Sequence, residues 1–253
     1  MKAYLVARPS FIQIPPEMGT PRADQMVGTD AEKIIELAGR ACYDSLGKGR
    51  NSAEYHQHIL DVAHGSVLAH ANFTFFITGV SRGLTHELVR HAIGIGISQR
   101  STRYVDESAS PWIKHPLFVQ YLEETADNDL LVDWDDAVAN CEQVYDRMVE
   151  KLEAFCIAKG VDKLGARKQA RGAARGILGN ALETEMIWSA NVRALRWVLE
   201  QRGSDAADAE IRALAVALFD CVKTEIPAYM LDYVLAPATD GLGQTITPTH
   251  HKV

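Results

Sequence analysis

One segment of the chain combines basic residues with small residues in a way that suits a phosphate group. Thr85-His86-Glu87-Leu88-Val89-Arg90-His91 predicts a helix rich in ionisable groups, and a glycine-bearing stretch over 92–100 follows it. That stretch ends in Ser101-Thr102-Arg103-Tyr104. Arginine forks donate charged hydrogen bonds, and backbone N–H groups beside small residues can approach an oxyanion closely. We predict an anion site here; the alternative is a solvated helix end followed by an ordinary loop.

A second basic segment places three arginines on one face of a predicted helix. Arg167, Arg171 and Arg175 recur every four residues, with alanine and glycine between them that permit close packing. Like charges at this spacing repel each other, so the stripe costs stability unless an anion or nearby acids neutralise it. The pattern fits a phosphate ligand, and a solvated helix face is the alternative.

A third basic segment runs from Asn191 to Arg202. Asn191 is a good N-cap, which predicts that a helix begins there. Arg193 then falls near the positive end of the helix dipole, where a cation is disfavoured, whereas Arg202 falls near the favourable end. The unfavourable place of Arg193 indicates use by a ligand; the alternative is an ion pair with an acid at position 183 or 185.

The sequence offers no clear nucleophile. Ser66, Ser98 and Ser101 have no evident His–Asp partners, and none of the cysteines lies in a basic turn. We therefore expect a cofactor to carry the chemistry, while the protein supplies placement and charge.

Two familiar site patterns fail. Gly94 and Gly96 lack the third glycine of a dinucleotide fingerprint and follow a predicted helix instead of a strand. His86 and His91 are five residues apart, which puts them on different helix faces and not at metal-ligand spacing. We expect neither a Rossmann site nor a metal site.

Hydrophobic periodicity predicts the elements that must position these segments. Strands are predicted over 2–14, 67–78 and 182–190. Helices are predicted over 29–45, 53–63, 80–92, 128–158, 162–178, 191–203 and 206–226. Few strands among many helices indicate an α+β (mixed α/β) fold, with a central mixed sheet flanked by helices in one domain over 1–235. The polar segment 236–253 is predicted to be a mobile tail.

Composition and charge exclude other classes. The 253 residues are 47% hydrophobic and 23% charged, which are globular proportions. A net charge of −7 argues against a general nucleic-acid-binding surface, so any anion must be held by a local cluster of cations. The N-terminal segment has no long apolar stretch, which predicts neither a signal peptide nor a membrane span. The four cysteines form no C-x-x-C pair and are predicted to be buried free thiols in a cytoplasmic protein.

Taken together, these motifs resemble the flavin-dependent thymidylate synthases. The resemblance covers about residues 30–228. It rests on five segments in the family's order and spacing: His64-Gly65-Ser66-Val67-Leu68, Thr85 to His91, Ser101 to Tyr104, Lys168-Gln169-Ala170-Arg171 to Arg175, and Asn191 to Arg202. It implies the fold of that family and a homotetramer whose subunits jointly build each active site. It also implies a reaction in which NADPH reduces FAD, methylenetetrahydrofolate supplies one carbon, and C5 of dUMP receives it to give dTMP.

The resemblance further implies roles for individual residues. FAD contacts are implied at Ser66, Arg90, His91, Ala92, Gln99, Asn191, Arg193 and Trp197. Nucleotide contacts are implied at Glu87, Arg90, Gln99, Arg100, Ser101, Thr102, Arg103, Arg175 and Arg202. Arg202 matches the arginine at the uracil carbonyl, and its catalytic role would be to stabilise negative charge on the pyrimidine as C5 becomes nucleophilic. No metal is implied.

The chain departs from the family pattern beside the Arg90-His91 pair. Ala92 stands where the family has a second arginine, and the eight residues 93–100 precede Ser101 instead of seven. Trp197 replaces the more usual His or Asn, Ala69 a usual Glu and Gly179 a usual Pro. These changes bear on the substrate more than on the fold.

Three hypotheses about function follow. The first is C5 methylation of dUMP. The second is C5 methylation or hydroxymethylation of a related pyrimidine nucleotide, such as UMP in a nucleoside-antibiotic pathway, because the longer loop could make room for a ribose 2′-hydroxyl. The third is a non-catalytic flavin- or nucleotide-binding relative, against which Arg175, Arg202 and the run Ser101–Arg103 argue.

Overall fold

A computed structural model describes all residues from 1 to 253, and the chain divides into two compact units. Unit 1 comprises residues 1–77, 87–98 and 187–253. Unit 2 comprises residues 78–86 and 99–186. We describe each unit by itself.

The elements follow one another in mixed order along the chain. The strands are β1 (Lys2–Ala7), β2 (Asn72–Ser81), β3 (Ile95–Gln99), β4 (Glu183–Asn191), β5 (Tyr233–Pro237) and β6 (Gln244–Pro248). The helices are α1 (Asp30–Cys42), α2 (Ser52–Asp61), α3 (Arg82–Leu88), α4 (Pro116–Thr125), α5 (Asn128–Ala158), α6 (Lys163–Ala174), α7 (Val192–Arg202) and α8 (Ala209–Val222). One sheet has the strand order β1-β2-β4-β3, and a second sheet pairs β5 with β6. The α+β fold class is confirmed.

Local sequence explains where the key helices of unit 1 begin. Thr29 and Glu32 form a reciprocal capping box at the start of α1, in which each side chain accepts the other residue's backbone N–H. Asn191 caps α7 by accepting the backbone N–H of Ala194 at 2.9 Å, as predicted. Because these caps satisfy backbone donors that a helix leaves open, they fix the first turns of the two helices.

The core of unit 1 lies on one face of its sheet. Phe73, Phe75 and Ile77 alternate along β2 and are fully buried, and Trp188 and Ala190 do the same on β4. The rings of Phe75 and Trp188 lie 5.7 Å apart. Helices α7 and α8 pack against each other within this unit, and α8 also packs on β1. The alternation of apolar and polar residues that predicted these strands therefore corresponds to a sheet with one buried face.

The C-terminal segment forms a hairpin in unit 1. Strands β5 and β6 pair antiparallel with Leu235 opposite Ile246, and Ile246 is fully buried. Its backbone N–H donates to the carbonyl of Gly203 at 2.8 Å. Nearby, Arg196 donates to Asp232 at 2.8 and 2.9 Å. The structure thus differs from the mobile tail predicted over 236–253. Burial does not alternate along β5 or β6, so the sequence lacks the pattern by which a strand is predicted.

Unit 2 is mainly helical. The long helix α5 packs along α6, and both agree with the helical periodicity in the sequence. The indole of Trp112 donates to Glu142 of α5 at 3.1 Å, and Trp112 also forms an isolated β-bridge with Leu182. These contacts join the segment before α4 to α5 and to the start of β4.

Two further features differ from expectation. Helix α4 and strand β3 were not predicted; β3 contains Gly96, and glycine is depleted in strands. All four cysteines are free, but the prediction of burial is wrong: Cys42 is exposed and the other three are partly exposed. Cys42 is the last residue of α1, where the helix face turns to solvent. None of the helices combines the length and the apolar character that crossing a membrane requires.

Candidate functional site

Arg202 ends helix α7 of unit 1 and is held by two side chains of the same unit. Its Nε donates to Nε2 of His91 at 2.9 Å, and one terminal nitrogen donates to the Glu87 carboxylate at 2.7 Å. The other terminal nitrogen donates to the Glu87 carbonyl at 3.3 Å. A guanidinium fixed from three directions keeps its orientation, so it can face a developing negative charge without first reorganising. The structure therefore brings together Glu87, His91 and Arg202, all three predicted to be site residues.

His91 is neutral in this arrangement. Burial of the ring, together with the neighbouring Arg202 guanidinium, lowers the pKa of His91 below its usual value. Because the Nε–H of Arg202 donates to Nε2, that nitrogen carries no proton, which assigns the remaining ring proton to Nδ1. The Nδ1–H group is then the one that His91 can offer to a ligand.

The residues predicted to contact FAD lie in unit 1, except for Gln99. Asn191 is engaged as the cap of α7, and Arg193 in the first turn is exposed. Arg193 forms no ion pair, so the alternative of a salt bridge to an acid at 183 or 185 is not met. Its Nε lies 3.3 Å from the point that a Cβ on Gly65 would occupy. Because Gly65 directly precedes Ser66, the exposed Ser66 hydroxyl and the unpaired Arg193 guanidinium lie in neighbouring parts of unit 1.

Three other predicted residues of unit 1 make no polar side-chain contact. Arg90 and Ala92 are exposed, and the Arg90 guanidinium has no hydrogen-bond or ion-pair partner. Trp197 on α7 is 42% exposed, an unusual state for an indole. Exposed groups of this kind suit contact with a ligand or another subunit.

A basic cavity of about 270 Å³ lies in unit 2. Arg82, His86, Thr102 and Arg175 line it together with small residues, among them Gly179, and no acidic residue does so. Arg175 donates to the hydroxyl of Thr102 at 3.3 Å. Cationic forks beside a hydroxyl and close backbone are the donors that an oxyanion requires. The phosphate role predicted for Arg175 and Thr102 therefore has a matching cavity.

Glu107 explains how arginines can cluster near this cavity. Its buried carboxylate lies 3.7 Å from Arg82 and 3.6 Å from Arg100, and it accepts a 2.5 Å hydrogen bond from Ser110. Burial lowers the pKa of Arg82 despite the attraction of Glu107. Arg100 also donates to Ser110 at 3.2 Å, so much of its donor capacity is used in holding the segment 100–110.

The other residues of unit 2 that are predicted to contact the nucleotide lie around a tight turn. Ser101 accepts backbone hydrogen bonds from Tyr104 at 3.2 Å and from Val105 at 3.0 Å through its carbonyl. Arg103 is exposed, and its side chain lies 3.8 Å from the point that a Cβ on Gly172 would occupy. Gln99 donates to the hydroxyls of Thr85 at 3.2 Å and Thr184 at 3.3 Å.

The arginine stripe is neutralised unevenly. Arg171 pairs with Asp106 at 2.5 Å and also donates to the Tyr104 carbonyl at 2.8 Å. Arg167 lies 3.8 Å from Glu153. Arg175 has no acidic partner, so it is the member of the stripe whose charge is available to a ligand.

Sequence reasoning missed Arg82 and His86 as cavity residues. Both lie on α3, four residues apart, which places them on one helix face. That spacing of two basic residues is a signal that the sequence itself contains. No group of His, Cys, Asp or Glu residues forms a metal site.

The chain is similar to known proteins in sequence and in fold. Residues 24–228 match the family model described as thymidylate synthase complementing protein. A flavin-dependent thymidylate synthase of Mycobacterium bovis (strain BCG / Pasteur 1173P2) is 37% identical over 253 residues, covering 98% of this chain and 96% of the relative. One of Mycobacterium sp. (strain KMS) is 38% identical over 259 residues, with the same coverage. The crystal structure of the Helicobacter pylori flavin-dependent thymidylate synthase complexed with FAD and dUMP is 21% identical with a TM-score of 0.58, covering 96% of this chain and 100% of that one.

Proposed function

Because the chain belongs to the flavin-dependent thymidylate synthase family, we propose that it methylates C5 of dUMP to give dTMP. FAD is the proposed cofactor, methylenetetrahydrofolate the carbon donor and NADPH the reductant. The observation that carries the proposal is the acid-free basic cavity of unit 2, whose Thr102 and Arg175 are residues that the resemblance assigns to the nucleotide. The chain matches nearly the whole length of relatives that are named for this activity. These relatives do not favour UMP as the substrate or a non-catalytic role.

The residues of unit 1 fit a flavin dinucleotide. Ser66 is exposed, and Arg90 and Arg193 have guanidinium groups without partners, which is the donor set that a pyrophosphate requires. When bound, FAD supplies the hydride-carrying ring that no side chain of this protein can replace. Asn191, by capping α7, fixes the helix turn from which Arg193 projects.

We assign Arg202 the role of stabilising the negative charge that develops on the uracil carbonyl. Glu87 and His91 are positioning residues, since each holds the guanidinium through a hydrogen bond. Arg175 and Thr102 hold the nucleotide phosphate, with Arg82 and His86 beside them. Gln99, Arg100, Ser101 and Arg103 shape the turn on which the nucleotide lies. Contact of FAD with His91, Ala92, Gln99 and Trp197 is part of the same proposal.

We also propose a homotetramer with shared active sites. The open face of the sheet in unit 1 carries Tyr4, Val6 and Ile187, which are 48%, 57% and 40% exposed. Apolar side chains gathered on a sheet face are typical of subunit contacts. The proposed location is the cytoplasm, whose reducing conditions suit four free cysteines.

The test is turnover of dUMP and UMP side by side, with FAD, NADPH and methylenetetrahydrofolate present. We expect dTMP from dUMP. A preference for UMP of more than about tenfold in kcat/KM, or about 1.4 kcal/mol, would overturn the assignment of dUMP. A flavin-bound protein that never oxidises NADPH, with or without nucleotide, would instead support the non-catalytic alternative.

A further inference from the structure

Unit 1 contains a second basic cavity, formed by residues that the proposed function does not use. It has a volume of about 310 Å³ and lies among the end of α1, the turn 43–50, helix α2 and His64. Lys48, Arg50, His58 and His64 contribute basic groups to its wall, and no Asp or Glu lines it. In a chain with a net charge of −7, a wall without acids concentrates positive charge locally, as the cavity of unit 2 also does.

The charges of this cavity are not all committed within the protein. Arg40, which also lines it, is buried and donates to Glu36 at 2.7 Å and to the carbonyls of Ser45, Lys48 and Arg50 at 3.3, 3.2 and 2.8 Å. Arg40 therefore holds the turn in shape and has no donor left for a ligand. Lys48 makes only an exposed pair with Asp44 at 3.2 Å, and the Arg50 guanidinium has no partner. Arg50 and Lys48 are thus the cations that a ligand could engage.

Aromatic groups complete the wall. Tyr43 stacks on His64 with ring centroids 6.1 Å apart and an angle of 7° between the planes. Tyr55 is 8% exposed, and its hydroxyl has no hydrogen-bond partner. Burial raises the pKa of Tyr55 to about 12, so this hydroxyl remains a neutral donor. That hydroxyl packs against Gly39 of α1, so Tyr55 supports the cavity wall through its ring.

We propose that this cavity binds a multiply charged oxyanion group of a co-substrate, with Arg50 and Lys48 as its cationic ligands. The proposal rests on the proposed function, which supplies two such groups: the carboxylates of the glutamate portion of methylenetetrahydrofolate and the 2′-phosphate of NADPH. Both are oxyanions attached to a molecule with a planar ring, and the cavity offers cations beside flat aromatic side chains. The residues assigned to FAD and to dUMP take no part in it.

The experiment compares wild type, Arg50→Gln and Lys48→Gln/Arg50→Gln, with Lys2→Gln as the matched control. Lys2 is an exposed cation on strand β1 that does not line this cavity. KM is measured for monoglutamyl and triglutamyl methylenetetrahydrofolate, and for NADPH and NADH. A lost hydrogen bond to a charged group predicts a rise in KM of about tenfold or more. We expect that rise with kcat, the KM for dUMP and flavin content unchanged, and no effect of Lys2→Gln.

The measurements with folate and with NADPH distinguish the two sources of the oxyanion. A larger effect on triglutamyl than on monoglutamyl folate identifies the carboxylates, whereas an effect on NADPH but not NADH identifies the 2′-phosphate. Equilibrium binding of pteroyltriglutamate and of 2′,5′-ADP, measured without turnover, keeps the test independent of catalysis. If wild type makes dTMP and neither the KM values nor probe binding depend on Arg50, this inference is wrong. If no dTMP forms but probe binding depends on Arg50, the proposed function alone is wrong.

Discussion

At the scale of single residues, the candidate catalytic arginine is defined by what holds it. Arg202→Ala should lower kcat by about a hundredfold, the usual cost of losing a donor aimed at developing charge, while FAD stays bound. Turnover and visible flavin absorbance measure the two effects separately. Arg8→Ala is the control, because Arg8 is an exposed arginine paired with Glu225 outside this cluster. Turnover that survives the loss of Arg202 would remove it from the mechanism.

His91 makes the contact with Arg202 sensitive to acid. Its pKa is lowered in the folded protein, so the unfolded chain binds the proton more tightly. The stability from the neutral His91–Arg202 hydrogen bond is therefore present above the unfolded pKa of about 6.5 and is lost as the pH falls through the lower, folded value. Melting temperatures between about pH 8 and about pH 5 should fall more for wild type than for His91→Gln, whose amide accepts without titrating. Parallel curves for the two proteins would contradict this.

At the scale of elements, helix α6 and the turn after it distinguish a structural arginine from a ligand. Arg175→Ala should raise the Kd for dUMP by about tenfold or more, because a charge-assisted contact to phosphate is lost. Arg167→Ala, on the same stripe but beside Glu153, should leave that Kd unchanged. Titration of both variants with dUMP decides; equal effects would mean that the stripe acts only through its overall charge.

Residues 92–94, which lead into β3, are tied to the first turn of α7. Gly94 has φ +74°, and a Cβ there would lie 2.4 Å from Nδ2 of Asn191. Gly94→Ala should cost about 1 kcal/mol or more of unfolding free energy, since it strains the backbone and displaces the cap. Gly96→Ala meets its nearest atom at 3.8 Å, without a positive φ, and should change stability by less than about 0.5 kcal/mol. Denaturant titration of the two variants compares them, and an equal loss would exclude the cap as the cause.

How far the sequence predicts each element depends on whether its signal is local. The cap of α7 and the long helix α5 were predicted, because side-chain type and 3.6-residue periodicity nearby in the sequence determine them. Strand β3 was missed because its partner β4 lies far along the chain, and strands β5 and β6 because burial does not alternate along them. Arg175 and Thr102 were predicted from their basic and hydroxyl-bearing segments and from the resemblance, whereas the structure added Arg82 and His86 to the cavity. The roles of the remaining site residues stay predictions.

At the scale of the whole molecule, an acidic chain leaves a few basic groups in cavities that no acidic residue lines, and it exposes apolar residues on one sheet face. A tetramer has four times the chain mass of 27.9 kDa, which light scattering resolves. Val6→Asp should shift the protein to smaller species, since a charge in an apolar interface is costly. Ile12→Asp, at an 89% exposed position outside any strand, should not. An unchanged mass for Val6→Asp would place the interface elsewhere.

The contact between Gly203 and Ile246 links the last strand to the end of α7. A Cβ on Gly203 would lie 2.0 Å from the Ile246 side chain, and Gly203 directly follows Arg202. An insertion or deletion of one residue within 244–248 would turn Ile246 outward, because strand side chains alternate between faces. Relatives that differ in length near their C-terminus should therefore absorb the difference in the 238–243 turn. The contact between Gly203 and Ile246, which touches no ligand, would in this way limit the strand lengths that keep Arg202 in place.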